Sequence, residues 1–461
     1  MKTRGKVSPI AWVPTAYFAM GLPFVVVNMV AVLMFEGMGV DNAAITFWTS
    51  LILLPWTIKP LWSPFLELFK TKKFYVVATQ LLTGAAFGLT ALSLSLPHFF
   101  APAILFLALA AFSGATHDIA CDGVYMSELT PDLQAKYIGW QGAFYNIAKI
   151  AATGGLVWFA GWLIDSSLPE GITSATADAL QSVAANRKAW TVTMLILGAT
   201  MAALGVYHIF ILPSSAGKGA EKGAGGRSGS DVARELWAVL SEFFTKRHIL
   251  VYILFIILYR FGEGFVVKIV PLFLKASREA GGLGLDNQQI GLYYGTFGAA
   301  AFVLGSLLAG YYISARGLRR TLLSLVAIFN IPFAVYAFMA WFQPVSAWAI
   351  AGGIVFEYFG YGFGFVGLTL FMMQQVAPGR HQMAHYAFAS GIMNLGVMIP
   401  GMLSGWLCDM LGYSTFFIVV MALTVPAFIM ARKVPFTHDD RKRLPEAEEA
   451  ALTDTEGNIS E

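Results

Sequence analysis

Apolar runs long enough to cross a bilayer recur about twelve times along this chain. They fall near residues 9–33, 43–65, 74–96, 101–127, 137–164, 189–212, 249–274, 288–313, 319–342, 346–376, 382–408 and 413–431. Backbone amides and carbonyls find no water in hydrocarbon, so a spanning segment is either a helix or a strand of a closed barrel. Runs of twenty residues rather than ten select the helix. An all-α integral membrane protein with twelve transmembrane helices is therefore expected. Only 12% of the residues are charged and 57% are hydrophobic, against roughly 25% charged in a soluble domain. The first run is too long and continuous for a cleaved signal peptide, so it is expected to stay as a span.

The basic residues set the expected orientation. Of 30 lysines and arginines, 22 fall in the N-terminus, alternate loops and the C-terminus, and four (Arg187, Lys188, Lys275, Arg278) in the opposite loops. The last four, Lys59, Lys149, Arg260 and Lys268, lie inside spans. Both termini are thus expected in the cytoplasm. The net charge of +3 is this loop bias and not a nucleic-acid surface.

Residues 1–212 are expected to form one six-helix bundle and 248–432 a second. Between them, residues 213–247 join a Gly- and Ser-rich linker to an amphipathic helix over Asp231–Arg247. The polar stretch 433–461 reads as a disordered cytoplasmic tail. Gly217-Lys218 has no Ser or Thr after it, so the ATPase phosphate loop is absent. Cys121 and Cys408 both fall in spans and suggest no disulfide. His381 and His385 are four apart without a third ligand nearby, so no metal and no cofactor is expected.

Two carboxylates stand out. Asp118 and Asp122 lie in the fourth run, about 40° apart around a helix. A charge at membrane depth costs roughly 3 kcal/mol on insertion scales, so it faces protein or water. Two acids one turn apart disfavour double ionisation, so one can carry a proton. Glu263 and Glu357 add acids in the seventh and tenth runs, opposite the bases Lys149 and Arg260. This set suggests proton coupling through exchangeable ion pairs, with Lys149 and Arg260 receiving an anionic solute. Asn146, Asn394, Tyr17, Trp140 and Tyr145 are candidate solute contacts. Plainer readings stand beside these. The aspartates can pair permanently with Lys149, and Arg260 can form an i,i+3 bridge with Glu263. The asparagines can be interhelical glue, and the aromatic residues simple packing. Lys59 and Lys268 are expected to snorkel to the interface. His117 is either a relay to Asp118 or a satisfied buried histidine.

The two halves repeat. Gly161-Trp-Leu-Ile-Asp165 and Gly405-Trp-Leu-Cys-Asp409 stand 244 residues apart, while Pro23 and Pro271, expected to break their spans, and Asn146 and Asn394 stand 248 apart. Agreement at nearly one offset argues for a six-plus-six parallel duplication with a pseudo-twofold axis, which resembles the major facilitator fold. Gly310 to Arg320 is similar to that superfamily's Gly-x-x-x-Asp-Arg-x-Gly-Arg-Arg loop, with Ser314 at the acid's place. Glu67 with Lys70, Lys72 and Lys73 fills the equivalent place in the first half. Glu67, Arg316, Arg319 and Arg320 are candidate gating residues, or else positive-inside anchors.

A narrower resemblance follows from four islands. Lys59-Pro-Leu-Trp-Ser-Pro64, Thr116-His-Asp118-Ile-Ala-Cys-Asp122, Tyr259-Arg-Phe-Gly-Glu263 and Tyr386-Ala-Phe-Ala-Ser390 resemble segments of the AmpG muropeptide permeases, a clan that includes acetyl-CoA transporters. His117 departs from the glutamine usual there. The resemblance implies a monomeric, proton-coupled importer of anhydro-muropeptides or related amino sugars, whose partners are protons, a small solute and the bilayer. The alternative is a facilitator or proton-linked carrier of another organic anion (acyl-CoA, drug or sugar). No nucleophile–base constellation points to an enzyme. A fluorescent reporter that matures only in the cytoplasm is expected to glow when inserted after Ala224, and to stay dark when inserted between Ser167 and Ala179.

Overall fold

The computed structural model describes residues 7–62, 66, 71–129, 131–169, 172, 179–213, 229–378 and 382–437. All regular elements among them are helical. Ten helices are long and apolar enough to span: Pro9–Gly37, Lys72–Ser93, Phe100–Tyr125, Trp140–Ser167, Leu180–Ile211, Ile249–Lys275, Asn287–Ile313, Leu318–Phe342, Ala347–Val376 and Ala384–Lys433. The last is two spans joined end to end, because Gly412 takes a φ of 68° and turns the chain between them. The apolar pair Asn42–Ile58 is a short second span. That makes twelve.

Local chemistry explains the departures from a regular pattern. The second span is shorter than the expected 43–65. Its helix breaks at Ile52 and Leu53 ahead of Pro55, then tightens into a 3₁₀ turn at Lys59–Leu61 around Pro60. The sixth span begins earlier than expected, at Ala179, so Arg187 and Lys188 ride on an exposed helical extension rather than a loop. Pro23 and Pro271 do not break their spans. Pro23 packs where a side chain on Gly114 would stand, and a π turn over Val26–Val30 follows it. The linker helix runs Gly229–Thr245 and buries Val239 and Phe243, the latter against His385 and Phe388 of the eleventh span. Next to it, Lys246 Nζ donates to the carbonyls of Val376 (2.7 Å) and Pro378 (2.7 Å), closing the C-terminal end of the tenth span. Residues 214–228 and the tail 438–461 lie outside the described residues.

The first six spans meet the last six along two seams, both tight at the end of the bundle away from the termini. The repeated motif builds both. Gly161 lets the fifth span touch Gln288, whose amide donates to Asp165 (3.0 Å). Gly405 lets the eleventh span touch Asn42 and Thr46, and its own N–H donates to Thr46 Oγ1 (3.1 Å). Asp409 lies near the Asn42 side chain. Small residues at helix crossings allow backbone approach that no larger side chain permits. An ion pair between Glu36 and Lys275 ties the first and seventh spans at the same end.

Deeper in the fifth–eighth seam, a side chain on Gly295 would run into the backbone of Thr153. Gly155, beside it in sequence, faces open space. Gly295→Val is expected to lower stability by about 1–3 kcal/mol through overpacking, read as a fall in melting temperature of the purified protein. Gly155→Ala should leave it unchanged.

Candidate functional site

The fourth span, Phe100–Glu128, carries the two aspartates. Asp118 Oδ2 accepts from Trp56 Nε1 at 3.0 Å and lies 3.7 Å from Lys59 Nζ. Both partners come from the second span, and the break at Pro55 and Pro60 turns them inward together. Lys59 therefore does not snorkel; it faces the acid. The other oxygen, Asp118 Oδ1, is buried with no partner among the described residues. Asp122 Oδ1 accepts from the Tyr17 hydroxyl at 2.8 Å, and Gln141 Nε2 in turn donates to that hydroxyl at 2.8 Å. Asp122 remains accessible to solvent from within the bundle. The acids thus have separate partner sets, one cationic and one neutral.

Lys149 does not pair with either aspartate. Its ammonium lies 4.9 Å from the Tyr145 ring centre and 5.5 Å from that of Phe302, which belongs to the eighth span. Cation–π contact is weaker than a salt bridge and leaves the ammonium's donors unused. The charge of Arg260 reaches Lys149 across the space between the halves. Arg260 itself forks onto Glu263 one turn ahead, with Nε to Oε2 at 2.6 Å. That is the plain intrahelical bridge. Glu357 accepts from the Tyr336 hydroxyl at 2.8 Å and is buried in a tyrosine-rich layer apart from Arg260.

The remaining candidates divide. Tyr17 joins the acid network, and Tyr145 carries Lys149. Trp140 is partly exposed and stacks on Phe144, with ring centres 5.9 Å apart. Asn146 bonds Gly142 of its own helix, so it is no interhelical bridge. Asn394 is half-buried. Arg316, Arg319 and Arg320 are exposed, with Arg316 over the Tyr312 ring. Glu67 and His381 lie outside the described residues. No group of three metal-ligating side chains occurs among the described residues.

Sequence reading passed over a second polar chain. His117 Nε2 meets Gln80 Nε2 (3.0 Å), Gln80 Oε1 meets His208 Nδ1 (2.8 Å), and His208 Nε2 meets Thr15 Oγ1 (2.9 Å). It stitches the first, third, fourth and sixth spans on the side away from Asp118, so His117 does not relay to that acid. Single polar residues inside the third and sixth apolar runs were its only signal.

The family model of the Major Facilitator Superfamily matches residues 15–378 and 261–456. The chain belongs to that superfamily. It is therefore a multi-pass membrane transporter and not an enzyme. It is 25% identical to the anhydromuropeptide permease of Escherichia coli (strain K12) over 196 residues, covering 42% of this chain and 38% of that relative. The match thus spans well under half of that relative's length. It is 23% identical over 424 residues to "Putative transporter AmpG 4" of Rickettsia felis (strain ATCC VR-1525 / URRWXCal2), covering 89% and 92%. Among solved structures, a D-xylose-proton symporter superposes with a TM-score of 0.67 at 11% identity, covering 93% of this chain and 98% of that one. A bacterial homologue of the human lysosomal transporter Spinster, inward-facing and unoccupied, gives 0.62 at 15% identity, covering 94% and 98%. These two show the fold alone.

The geometry implies coupling between Lys59 and Asp118. Removing one partner of this partly buried pair leaves the other less well compensated. In a double-mutant cycle, Lys59→Met is expected to cost about 1–3 kcal/mol less in an Asp118→Asn background than alone. Thermal melts of the four proteins check it.

Proposed function

We propose that this protein is a proton-coupled importer of anhydro-muropeptides or related amino sugars across the bacterial inner membrane, with both termini in the cytoplasm. The observation that carries the reading is the aspartate pair. Two acids one turn apart hang on different partners, Asp118 on Trp56 and Lys59, Asp122 on Tyr17. The names of the relatives support the choice of solute class.

With the termini inside, the Gly161 and Gly405 crossings lie on the outer side. A proton on Asp118 cancels the charge that holds Lys59, and it loosens the second span from the fourth. The second span also forms one seam with the eleventh, through Thr46 and Gly405. Protonation at the acid thereby reaches the outer closure. Lys149, which rests on aromatic rings, offers its ammonium to a carboxylate or lactyl group of the solute. Arg260 supports it from the other half while staying paired with Glu263. Tyr145 and Trp140 offer flat faces to a sugar ring. Rocking of the two halves about the site then alternates access.

Uptake of radiolabelled anhydro-muropeptide into proteoliposomes, driven by an inward proton gradient, tests the reading. Asp118→Asn and Asp122→Asn are each expected to cut accumulation at least ten-fold, while solute exchange without a gradient persists. Lys149→Met should raise the half-saturating solute concentration instead. Accumulation that survives both aspartate substitutions rules out this coupling.

A further inference from the structure

Lys268 is buried to 1% exposure at the meeting of the first, second, seventh and eleventh spans. Its side chain does not reach an interface. Among the described residues the ammonium donates only to the backbone carbonyls of Asn28 and Thr49, each at 3.3 Å. No carboxylate of the described residues lies within 4 Å of it. Both acceptors belong to the first six spans, whereas Lys268 belongs to the last six. Asn28 sits in the π turn of the first span, where the regular i→i−4 ladder is interrupted. Two more buried polar atoms there, Asn28 Oδ1 and Ser50 Oγ, have no partner among the described residues. Gly401 of the eleventh span completes the wall: a methyl group on it would meet Ser50 Oγ at 2.6 Å and Lys268 Cγ at 3.4 Å.

A buried cation resting on two long hydrogen bonds recovers little of its lost hydration. A methionine, unbranched and of similar length, would suit this closed seam as well or better, since replacing buried charge with packed apolar groups is commonly neutral or stabilising. The charge gains most when the seam parts and water reaches it. We propose that Lys268 is a positioning residue that weakens the closed seam at this end, keeping the state open at the opposite end from the termini within thermal reach. The Lys275–Glu36 pair, the Asp165 bond and the Gly405–Thr46 bond hold that end shut; Lys268 opposes them from inside the same seam.

The inference rests on the alternation proposed above, but its test uses neither solute nor gradient. Spin labels at His98→Cys and Glu279→Cys stand on exposed loops at that end, one in each half. The native Cys121 and Cys408 are buried and escape labelling. Pulsed electron–electron distances are read on the full chain in lipid nanodiscs. Lys268→Met, and independently Lys268→Gln, should reduce the long-distance population about five-fold or more, and Lys268→Arg should keep it near the wild-type value. An unchanged distribution in both neutral variants overturns the proposal. So does a shift to longer distances, which would make Lys268 a clasp instead. Either result leaves the gradient-driven uptake test standing, and loss of muropeptide uptake leaves this one standing.

Discussion

A carboxylate at membrane depth has few ways to persist, and the contact between Asp118 and the second span is the one this protein uses. The fourth span cannot supply donors from its own backbone, whose amides are committed to helix bonds. Trp56 and Lys59 must come from outside, and they arrive together because Pro55 and Pro60 interrupt the second span beside them. The break that makes this span short is thus what turns an indole and an ammonium toward one oxygen. Asp122, one turn on, accepts from the neutral Tyr17 hydroxyl. The difference between the acids is therefore set by helix termination in a neighbouring element.

That contact and the closure of the bundle share the second span. Its first turns lie against Gly405 of the eleventh, its last against Asp118 of the fourth. A change of charge at one end of a short, twice-broken helix is felt at the other. The matching seam between the fifth and eighth spans carries no acid of the site. It is built instead from Gly161, Gly291 and Gly295, where backbones touch.

Much of this was legible beforehand. Ten of the twelve apolar runs lie within a few residues of the observed helices, the second and sixth being the exceptions, since hydrocarbon leaves the backbone no alternative. The Gly-Trp-Leu-x-Asp repeat pointed to duplication, although not to its use at both seams. The individual lysines were harder. Distance from a span end suggested that Lys59 and Lys268 snorkel, and membrane depth made Lys149 the partner of the aspartates. The fold gives the reverse assignment: Lys59 pairs, Lys149 rests on rings, and Lys268 is sealed between halves. Depth along one helix carries no information about which helix lies opposite, and the opposite helix decides the partner.

The π turns show why such partners exist at all. They occur at Val26–Val30, Ala151–Leu156, Gly291–Phe297 and Met372–Val376. An extra residue in a turn shifts the hydrogen-bond register and leaves a carbonyl underused. In the first span the Asn28 carbonyl, within such a turn, receives Lys268. In the fifth and eighth spans the two turns face each other, and the Thr153 hydroxyl points toward the Gly295 carbonyl at 3.4 Å across the seam. Regular helices would present saturated backbones to one another there. Irregular ones present weak, replaceable acceptors there, and the stronger bonds, Glu36 with Lys275 and Gln288 with Asp165, are left to the end away from the termini.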